Sequence, residues 1–269
     1  MSDERHREFH RLHAAGCFVI PNPWDAGSAR MLVTLGFPAL ATTSSGFAWT
    51  QGVRDNHITL AQALEHFTTI AASVPVPVNG DFEGGFAVEP EQVGVHVAAA
   101  ATTGVAGLSI EDSTGDPDRP LFDEALAIER VRAARRAIDA SGRPVLLTAR
   151  SEGFIVGRPD LDATIRRLAA FAAADADCLY APGLRARSDI AAVVAAVAPR
   201  PVNVLVGGSF TSVAELAEIG VRRISVGGAL ARAAWTGFIA AVAEIGERGT
   251  FTALDRAAKS AEIERAFDR

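Results

Sequence analysis

Acidic residues stand just after several short apolar runs of this sequence, and they are the first candidates for chemistry. Short runs rich in Val, Ile or Leu predict buried parallel strands, and the carboxyl ends of such strands meet on one rim. Carboxylates crowded on one rim repel one another unless a cation lies among them. The acids in question are Asp81, Glu83 and Glu111, together with Asp55 in the loop that follows the second run. Arg150 ends another such run and is expected to face them.

Simpler interpretations exist for single acids. One acid in a strand-to-helix loop is commonly a helix cap or a turn residue, and Asp25 and Asp112 are assigned to that class. Glu152 is either a cap or a partner of Arg150. The stretch NGDFEGGF (79–86) taken alone predicts a plain turn as readily as a cation site. The set as a whole favours a cation site, because acids follow neighbouring strands.

The side chains on the rim indicate which cation would bind. Carboxylate oxygens without His or Cys suit Mg²⁺ or Mn²⁺ better than zinc. The sole lysine of the chain is Lys259, in the C-terminal segment, so reactions that need a lysine amine have a poor candidate. A carbanion formed here would need another electron sink, and a metal ion could supply it.

Other residues at the strand ends are candidates for binding a substrate. The stretch Ser44–Phe47 offers hydroxyl and backbone N–H groups that could cradle a carboxylate. Trp24 belongs either to the core or to the wall of a pocket. The glycine pairs at 207–208 and 227–228 could form a phosphate cup, and tight turns are an equal alternative for them.

Strand and helix patterns alternate along the chain. The β-type runs are 17–21, 39–43, 74–79, 107–111, 144–149, 178–182, 201–206 and 223–227. Amphipathic helices are predicted at 123–138, closed by Ser141-Gly142, and at 160–174, with Asp160 as the N-cap. Eight repeats over about 250 residues predict a (β/α)8 TIM barrel of the α/β class. A doubly wound open sheet is the alternative.

Length and composition limit the possible domain organisation, partners and location of the protein. We expect one barrel domain over 1–269, with an N-terminal helical segment (1–16) and an extra C-terminal helix (251–269) that covers the barrel or docks on another subunit. The net charge of −6 and the absence of a basic stripe argue against nucleic acid as a partner. No apolar run is long enough to predict a membrane span or a signal peptide, so a cytoplasmic protein is expected. Cys17 and Cys178 are predicted to be reduced thiols.

Six motifs together resemble one known family, the phosphoenolpyruvate mutase/isocitrate lyase superfamily. They are PNPWDAGSAR, TTSSGFA, GVRD, GDFEGGF, GLSIED and ARSEGF, in that order and at similar spacing, and the resemblance covers about 17–240. It implies a (β/α)8 barrel whose last helix is often exchanged between subunits of a dimer or tetramer. It also implies Mg²⁺ and a small 2-keto or 2-hydroxy acid as substrate.

Carried over by position, the resemblance gives the rim residues separate roles. Asp81 would bind the metal directly, while Glu83, Glu111 and Asp55 would hold metal-bound waters. Catalysis is thus assigned to Arg150, which would stabilise a developing enolate, together with Asp55 and Glu111. The substrate carboxylate would lie against Ser45, Gly46 and Phe47, with Trp24 as a candidate wall of the pocket.

Departures from the family pattern reduce the number of reactions that the sequence could support. The strand 3 loop has Asp81-Phe82-Glu83-Gly84-Gly85 in place of Asp-x-Asp-Thr-Gly, and the loop 112–121 has no Lys, Cys or His. The residues after strand 6 are Ala181-Pro182-Gly183, where isocitrate and methylisocitrate lyases tend to have a Glu. A typical isocitrate or methylisocitrate lyase is therefore not expected, and the loop also lacks features of the phosphonate enzymes.

The leading hypothesis is a Mg²⁺-dependent lyase that cleaves a C–C bond of a small 2-oxo or 2-hydroxy dicarboxylate through an enolpyruvate-type intermediate. Decarboxylation of an oxaloacetate-like substrate needs the fewest catalytic groups from loop 112–121, because CO₂ leaves without a general acid. A retro-aldol reaction would need a base, for which Glu111, Asp116 and Asp118 are candidates. The alternatives are P–C chemistry on phosphonopyruvate, a barrel that binds 2-keto acids without catalysis, and a phosphosugar isomerase.

Overall fold

Eight parallel strands form one sheet that curves into a nearly closed barrel. A computed structural model describes residues 2–268. The strands are β1 Phe18–Ile20, β2 Leu40–Ala41, β3 Val78–Asp81, β4 Gly107–Glu111, β5 Leu146–Arg150, β6 Cys178–Tyr180, β7 Val202–Leu205 and β8 Arg223–Ser225. Their order is β1-β8-β7-β6-β5-β4-β3-β2, with parallel pairing throughout. The N–H of Ala41 donates to the carbonyl of Pro21 at 3.1 Å and links the two ends of the sheet.

Helices follow the strands and cover the outside of the barrel. They are α1 Ser2–Ala14, α2 Ala26–Thr34, α3 Ser44–Thr50, α4 Leu60–Ser73, α5 Pro90–Ala101, α6 Glu124–Ala140, α7 Leu161–Ala173, α8 Arg187–Val197, α9 Val213–Glu218 and α10 Ala229–Arg248. The apolar faces of α2 and of α4 to α9 pack against the sheet in one large core, to which Phe67, Leu108 and Phe171 belong. Helices α1 and α3 contribute Phe9 and Ala48 to two smaller clusters. The predicted (β/α)8 barrel is confirmed, and the open sheet is excluded.

Several local predictions hold. The Asp160 carboxylate accepts the N–H of Ala163 at 2.8 Å and caps α7. Asp25 accepts the N–H of Ser28 at 2.7 Å and caps α2, in agreement with its assignment as a cap. Helix α6 ends at Ala140, and Gly142 takes a positive φ of 65° just beyond it. Side-chain oxygens satisfy backbone donors that a helix start leaves free, which explains the two caps.

The third strand lies later in the chain than predicted. The sequence predicts a strand over 74–79, but β3 is Val78–Asp81. Pro75 and Pro77 have no N–H to give to a neighbouring strand, so the prolines precede the strand instead of belonging to it. The shift makes Asp81 the last residue of β3, where strand pairing fixes its backbone.

The barrel interior contains an unusual number of polar side chains. Asn79, Thr148, Asn203, Arg223 and Ser225 are all buried within it, whereas barrel interiors are mostly filled by Val, Ile and Leu. The Arg223 guanidinium donates to Asn203 Oδ1 at 2.9 Å and to Thr148 Oγ1 at 3.0 Å. Polar groups of this kind leave room for a hydrophilic cavity above them.

The predicted extra helix after the barrel is present, in two short pieces. A 3-10 turn covers Thr252–Arg256 and a final helix, α11, covers Ser260–Glu264. Between them Ala257 has extended backbone angles, φ −64° and ψ 143°, which interrupts the helix. Buried Glu244 on α10 accepts the N–H groups of Thr252 and Ala253, at 2.9 and 2.7 Å, and holds this segment against α10.

Helix α10 is apolar and largely uncovered. Among residues 2–268 it is the one helix long and apolar enough to cross a membrane by length and composition, and 17% of its apolar stretch is buried. A single helix of this kind is weak evidence for a membrane span. The exposed apolar side chains of α10 are Trp235, Phe238, Ile239, Val242 and Ile245.

Candidate active site

Arg150 is the centre of the predicted rim. Its guanidinium contacts three carboxylates: Asp81 at 2.7 Å, Glu111 at 3.0 Å and Glu152 at 2.9 Å. The side chain of Arg150 is 16% exposed, and those of the three acids are exposed by 17% or less. Ion pairs so well shielded from water are screened little by salt, so Arg150 fixes the acids relative to one another.

Strand pairing explains why these residues meet. Arg150 lies directly beside Glu111 in the register of β4 and β5. Asp81 lies beside Ser109 in the register of β3 and β4, two residues before Glu111. All three side chains therefore emerge at the carboxyl end of adjacent strands, as the sequence predicts. The N–H of Asp81 also donates to Thr42 Oγ1 at 2.9 Å, which ties the end of β3 to β2.

Glu83 lies in a strained turn directly after β3. Its φ is 46°, and Gly85 and Phe86 follow with φ of 74° and 56°. A non-glycine residue in this left-handed region costs about 1–3 kcal/mol and persists only where its surroundings enforce it. The side chain of Glu83 is buried, and its Oε1 has no hydrogen-bond partner among residues 2–268.

The rim carries more carboxylates than Arg150 can neutralise. Burial, and then the charges of Asp81 and Asp55, raise the pKa of Glu83 to about 8. Burial also raises the pKa of Glu111 well above its usual range, although Arg150 opposes the change. A cation among these groups would relieve both effects. The unpartnered Glu83 oxygen and the surplus of carboxylates therefore fit a divalent metal ion.

The acids do not surround one point closely. Within the described chain, residues 2–268, no three His, Cys, Asp or Glu side chains form a group that could hold a metal ion by themselves. Asp81, Glu83 and Glu111 as a set of direct ligands are thus not preformed, and their part in metal binding stays a prediction. Mg²⁺ commonly keeps several waters and takes one or two carboxylates, which matches one direct ligand with the other acids behind water.

Asp55 lies at the mouth of the site. It is exposed overall, while the loss of water on its inward side and then the charge of Asp81 raise its pKa. The loop that carries it is held by local hydrogen bonds, in which the N–H of Asn56 donates to Asp55 Oδ1 at 3.1 Å. The structure thus brings Asp55 to the same cavity as Asp81 and Arg150.

The Ser44–Phe47 stretch forms the first turn of α3. The N–H of Ser44 donates to Asp81 Oδ2 at 3.1 Å, and Ser45 lines the cavity. The N–H groups of Gly46 and Phe47 are directed to Thr43 Oγ1 and to the Thr43 carbonyl, at 3.4 and 3.1 Å. Binding of a substrate carboxylate by Ser45, Gly46 and Phe47 stays a prediction, with Ser45 in the most direct position.

Trp24, Gly46 and Phe47 lie behind the cavity wall. A Cβ added to Gly46 would lie 3.0 Å from Trp24 Cβ, so the two residues are packed closely. The Phe47 ring stacks on His66 with 4.0 Å between ring centroids. None of the three is among the residues that line the cavity. Of the two interpretations of Trp24, this position favours a packing residue over a residue of the pocket wall.

A polar cavity of about 160 Å³ lies at the carboxyl end of the barrel. An engineered cavity of about 150 Å³ in another protein holds a molecule as small as benzene, so this one suits a small acid. The residues that line it include Asn22, Thr42, Ser45, Asp55, Asn79, Asp81, Arg150, Tyr180, Arg223, Gly227 and Gly228. Of the two glycine pairs, 227–228 lines the cavity.

Comparison with known proteins agrees with this geometry. The family model for phosphoenolpyruvate phosphomutase matches residues 9–246. The chain belongs to this family. It is thereby an enzyme of the phosphoenolpyruvate mutase/isocitrate lyase superfamily, whose members are lyases or mutases and are generally dependent on a divalent metal. The motif resemblance is confirmed, and catalysis is favoured over binding alone.

Individual relatives cover most of the chain. A solved Burkholderia cenocepacia protein described as a lyase/mutase superposes with a TM-score of 0.95, at 45% identity, over 100% of this chain and 97% of its own. An uncharacterized protein of Mycobacterium tuberculosis is 33% identical over 81% of each chain. An oxaloacetate decarboxylase of Bradyrhizobium diazoefficiens is 30% identical over 69% of this chain and 65% of its own.

Within this family's site Arg150 has two further neighbours, Glu152, whose role the sequence leaves open, and Tyr180, which the sequence does not single out. Glu152 does hold Arg150, which decides between the two interpretations left open for it. Tyr180 ends β6, and the Arg150 guanidinium lies 5.2 Å from its ring centroid. Burial raises the pKa of Tyr180 to about 12, so its hydroxyl keeps its proton at neutral pH. The sequence offers no signal for this residue, because Tyr180 lies in the middle of the predicted run 178–182, whereas β6 ends at it.

Asp112 has a larger role than the predicted cap or turn. It is buried, accepts the N–H of Glu152 at 2.8 Å and pairs with Arg167 at 3.1 Å. Arg167 also donates to the carbonyl of Phe122 at 2.9 Å. Asp112 therefore links the end of β5 to the loop 112–122. A lone acid after a strand carries no sign of such long-range contacts, which explains why the sequence did not predict them.

Proposed function

We propose that this enzyme is a divalent-metal-dependent lyase that cleaves a C–C bond of a small 2-oxo or 2-hydroxy dicarboxylic acid. The leading reaction is decarboxylation of an oxaloacetate-like substrate to an enolpyruvate, which is then protonated. The observation that carries the proposal is the guanidinium of Arg150 bound at 2.7 Å to Asp81 inside a small polar cavity. The 30% identity to an oxaloacetate decarboxylase supports the same reaction.

The metal would be Mg²⁺ or Mn²⁺, held by acids that follow β2 or lie at the ends of β3 and β4. Asp81 is the candidate direct ligand, and Glu83, Glu111 and Asp55 would bind waters of the ion. When bound, the ion supplies a Lewis acid that stabilises negative charge on a substrate oxygen. Oxygen ligands without His or Cys favour these hard ions.

Arg150 would stabilise the enolate oxygen as negative charge develops on it. Fixed N–H donors act strongly where water is excluded, because they need no reorganisation during the reaction. Asp81, Glu111 and Glu152 prevent the guanidinium from rotating away, and the ring of Tyr180 lies beside it. Ser45 lies on the cavity wall, where it could bind a substrate carboxylate.

The composition of loop 112–121 favours decarboxylation over cleavage of larger acids. The loop has no Lys, Cys or His, so a strong general acid is missing from it. Loss of CO₂ needs no proton on the leaving group, and water can protonate the enolate. A retro-aldol reaction would need a general base, and the candidates are Glu111, Asp116 and Asp118.

P–C bond chemistry on phosphonopyruvate is the second candidate, because the matching family model is that of a phosphomutase. The two reactions are separated by one pair of assays. Purified enzyme with Mg²⁺ is incubated with oxaloacetate while pyruvate is measured, and with phosphonopyruvate while phosphorus NMR is recorded. Pyruvate release with an unchanged phosphorus spectrum supports the lyase, and a new phosphorus resonance without decarboxylation supports P–C chemistry.

We also propose that the protein acts in the cytoplasm as a homo-oligomer, a dimer or tetramer, in which α10 docks on a second copy of the chain. Helix α10 leaves Trp235, Phe238 and Ile239 exposed by 41%, 58% and 59%. Large exposed apolar patches commonly mark protein interfaces. The family resemblance implies exchange of the last helix between subunits, which would cover this face.

A further inference from the structure

The turn after β3 needs an external support. Glu83, Gly85 and Phe86 have φ of 46°, 74° and 56°, a region that residues other than glycine rarely adopt. Such a conformation persists only where the surrounding structure enforces it. Because Glu83 is a candidate for holding metal-bound water, whatever supports the turn also sets the position of its carboxylate.

Arg130 of α6 provides that support. Arg130 is 2% exposed, and its guanidinium donates to the carbonyls of Gly84, Ala87 and Val88. The first of these carbonyls lies inside the left-handed stretch, and the other two directly follow it. Burial lowers the pKa of Arg130 to about 10, so the group remains charged at neutral pH. One planar cation thus binds the turn to a barrel helix through several carbonyls. A lysine ammonium lacks the fixed fork of donors that this arrangement needs.

The same guanidinium also contacts the loop 112–122. It lies 4.0 Å from the ring centroid of Phe122, within the range of a cation–π contact. The N–H of Phe122 donates to the carbonyl of Asp112 at 2.9 Å, and Ser113 pairs with Leu121, so this ring lies at the base of a closed loop. A Cβ on Gly84 would lie 3.4 Å from both Arg130 Nη2 and the Ser113 carbonyl. The turn and the loop therefore touch each other and share Arg130.

We propose that Arg130 is a positioning residue that couples the turn 82–88 to the loop 112–122. Packing of Phe122 on the guanidinium stabilises the position in which Glu83 can bind the metal-bound water, and that position in turn stabilises the packing of Phe122. Coupling of this kind is reciprocal. Binding of Mg²⁺ strengthens the loop, and an ordered loop strengthens Mg²⁺ binding. The metal half of this inference rests on the proposed function, whereas the link between the two segments does not.

The first test compares Arg130→Lys with Arg132→Lys, an exposed arginine on the same helix that pairs with Glu129. We expect Arg130→Lys to weaken Mg²⁺ binding by about 10–100-fold in calorimetry, as for other residues behind metal ligands. Oxalate affinity at saturating Mg²⁺ should change little. Hydrogen exchange without metal should rise in both 82–88 and 112–122. Equal Mg²⁺ affinities for the two variants would overturn the proposal.

A second variant keeps Arg130 and removes only the ring that covers it. Phe122→Leu is expected to raise hydrogen exchange in the turn 82–88, which contains no substitution, and to weaken Mg²⁺ binding in the same direction. Exchange that rises within 112–122 alone, with unchanged Mg²⁺ affinity, would overturn the coupling. If the wild-type enzyme bound no divalent cation, the proposed function would fail, and the metal-free exchange comparison would still decide the link between the segments.

Discussion

Arg150 and Asp81 lie 69 residues apart in the chain, and their side chains meet with 2.7 Å between Nη1 and Oδ1. Glu111 and Glu152 bind the same guanidinium, so a single cation organises three carboxylates from adjacent strands. Glu83, a buried acid of the same rim, has no partner for Oε1 among residues 2–268. The three acids that share the single charge of Arg150 thus differ from Glu83, whose Oε1 is open to a further cation.

Arg150→Lys tests whether the shape of the guanidinium matters. A lysine ammonium cannot reach three carboxylates in the same planar arrangement, and loss of one fixed donor at a developing oxyanion lowers kcat by about 10²–10³-fold. Steady-state kinetics of pyruvate release would measure the effect. Arg158→Lys, at an exposed position in the loop after β5, is the matched control. Equal kcat values for the two variants would contradict the role of Arg150.

Glu83→Gln separates metal binding from stability. Above pH about 8, where Glu83 is charged, the variant removes an unpaired buried charge, which is costly. We therefore expect a metal-free melting temperature equal to or above that of the wild type. Metal affinity should fall by about 10–100-fold. Calorimetry with Mg²⁺ and thermal unfolding in EDTA measure the two quantities. A large loss of stability with unchanged Mg²⁺ affinity would refute this assignment.

Glu244→Gln should remove a pH-dependent anchor of the C-terminal segment. Hydrogen bonds from Thr250, Thr252 and Ala253 lower the pKa of Glu244 to about 2, from an ordinary value of 4.5. A depressed pKa contributes stability that is fully present above pH about 4.5 and is lost as the pH falls through about 2. The difference in melting temperature between wild type and variant should therefore shrink between these pH values. Glu247→Gln, at an exposed position on the same helix, should show no such trend.

Ile239→Glu tests the proposed interface on α10. Ile239 is 59% exposed in the single chain, and a buried carboxylate at a subunit contact would be strongly unfavourable. Light scattering should give a multiple of 28.2 kDa for the wild type and a lower multiple for the variant. Arg248→Glu, an exposed change at the end of the same helix, is the control. A wild-type protein of 28.2 kDa would remove the basis for the homo-oligomer.

The sequence predicts the barrel well because its signals are local. Each short apolar run corresponds to a strand, and acids at the run ends indicate the rim that carries Asp81 and Glu111. The loop after β2 brings Asp55 to the same cavity as Asp81. Contacts between distant segments have no such signal. The three carbonyls bound by Arg130 and the link from Asp112 to Arg167 depend on tertiary packing. An arginine in a helix or an aspartate after a strand gives no sequence signal for such contacts. The tail illustrates the same limit, because helical spacing over 251–267 does not reveal the interruption at Ala257.

The most direct test of the central claim is pyruvate release from oxaloacetate, followed by coupling to lactate dehydrogenase. Rates are corrected with a protein-free blank, since metal ions alone decarboxylate oxaloacetate. The wild-type enzyme should release pyruvate with Mg²⁺, lose this activity in EDTA and regain it when Mg²⁺ is restored. Asp81→Asn should be inactive at every Mg²⁺ concentration. Wild-type activity that is unchanged by EDTA, or that persists in Asp81→Asn, would contradict the account.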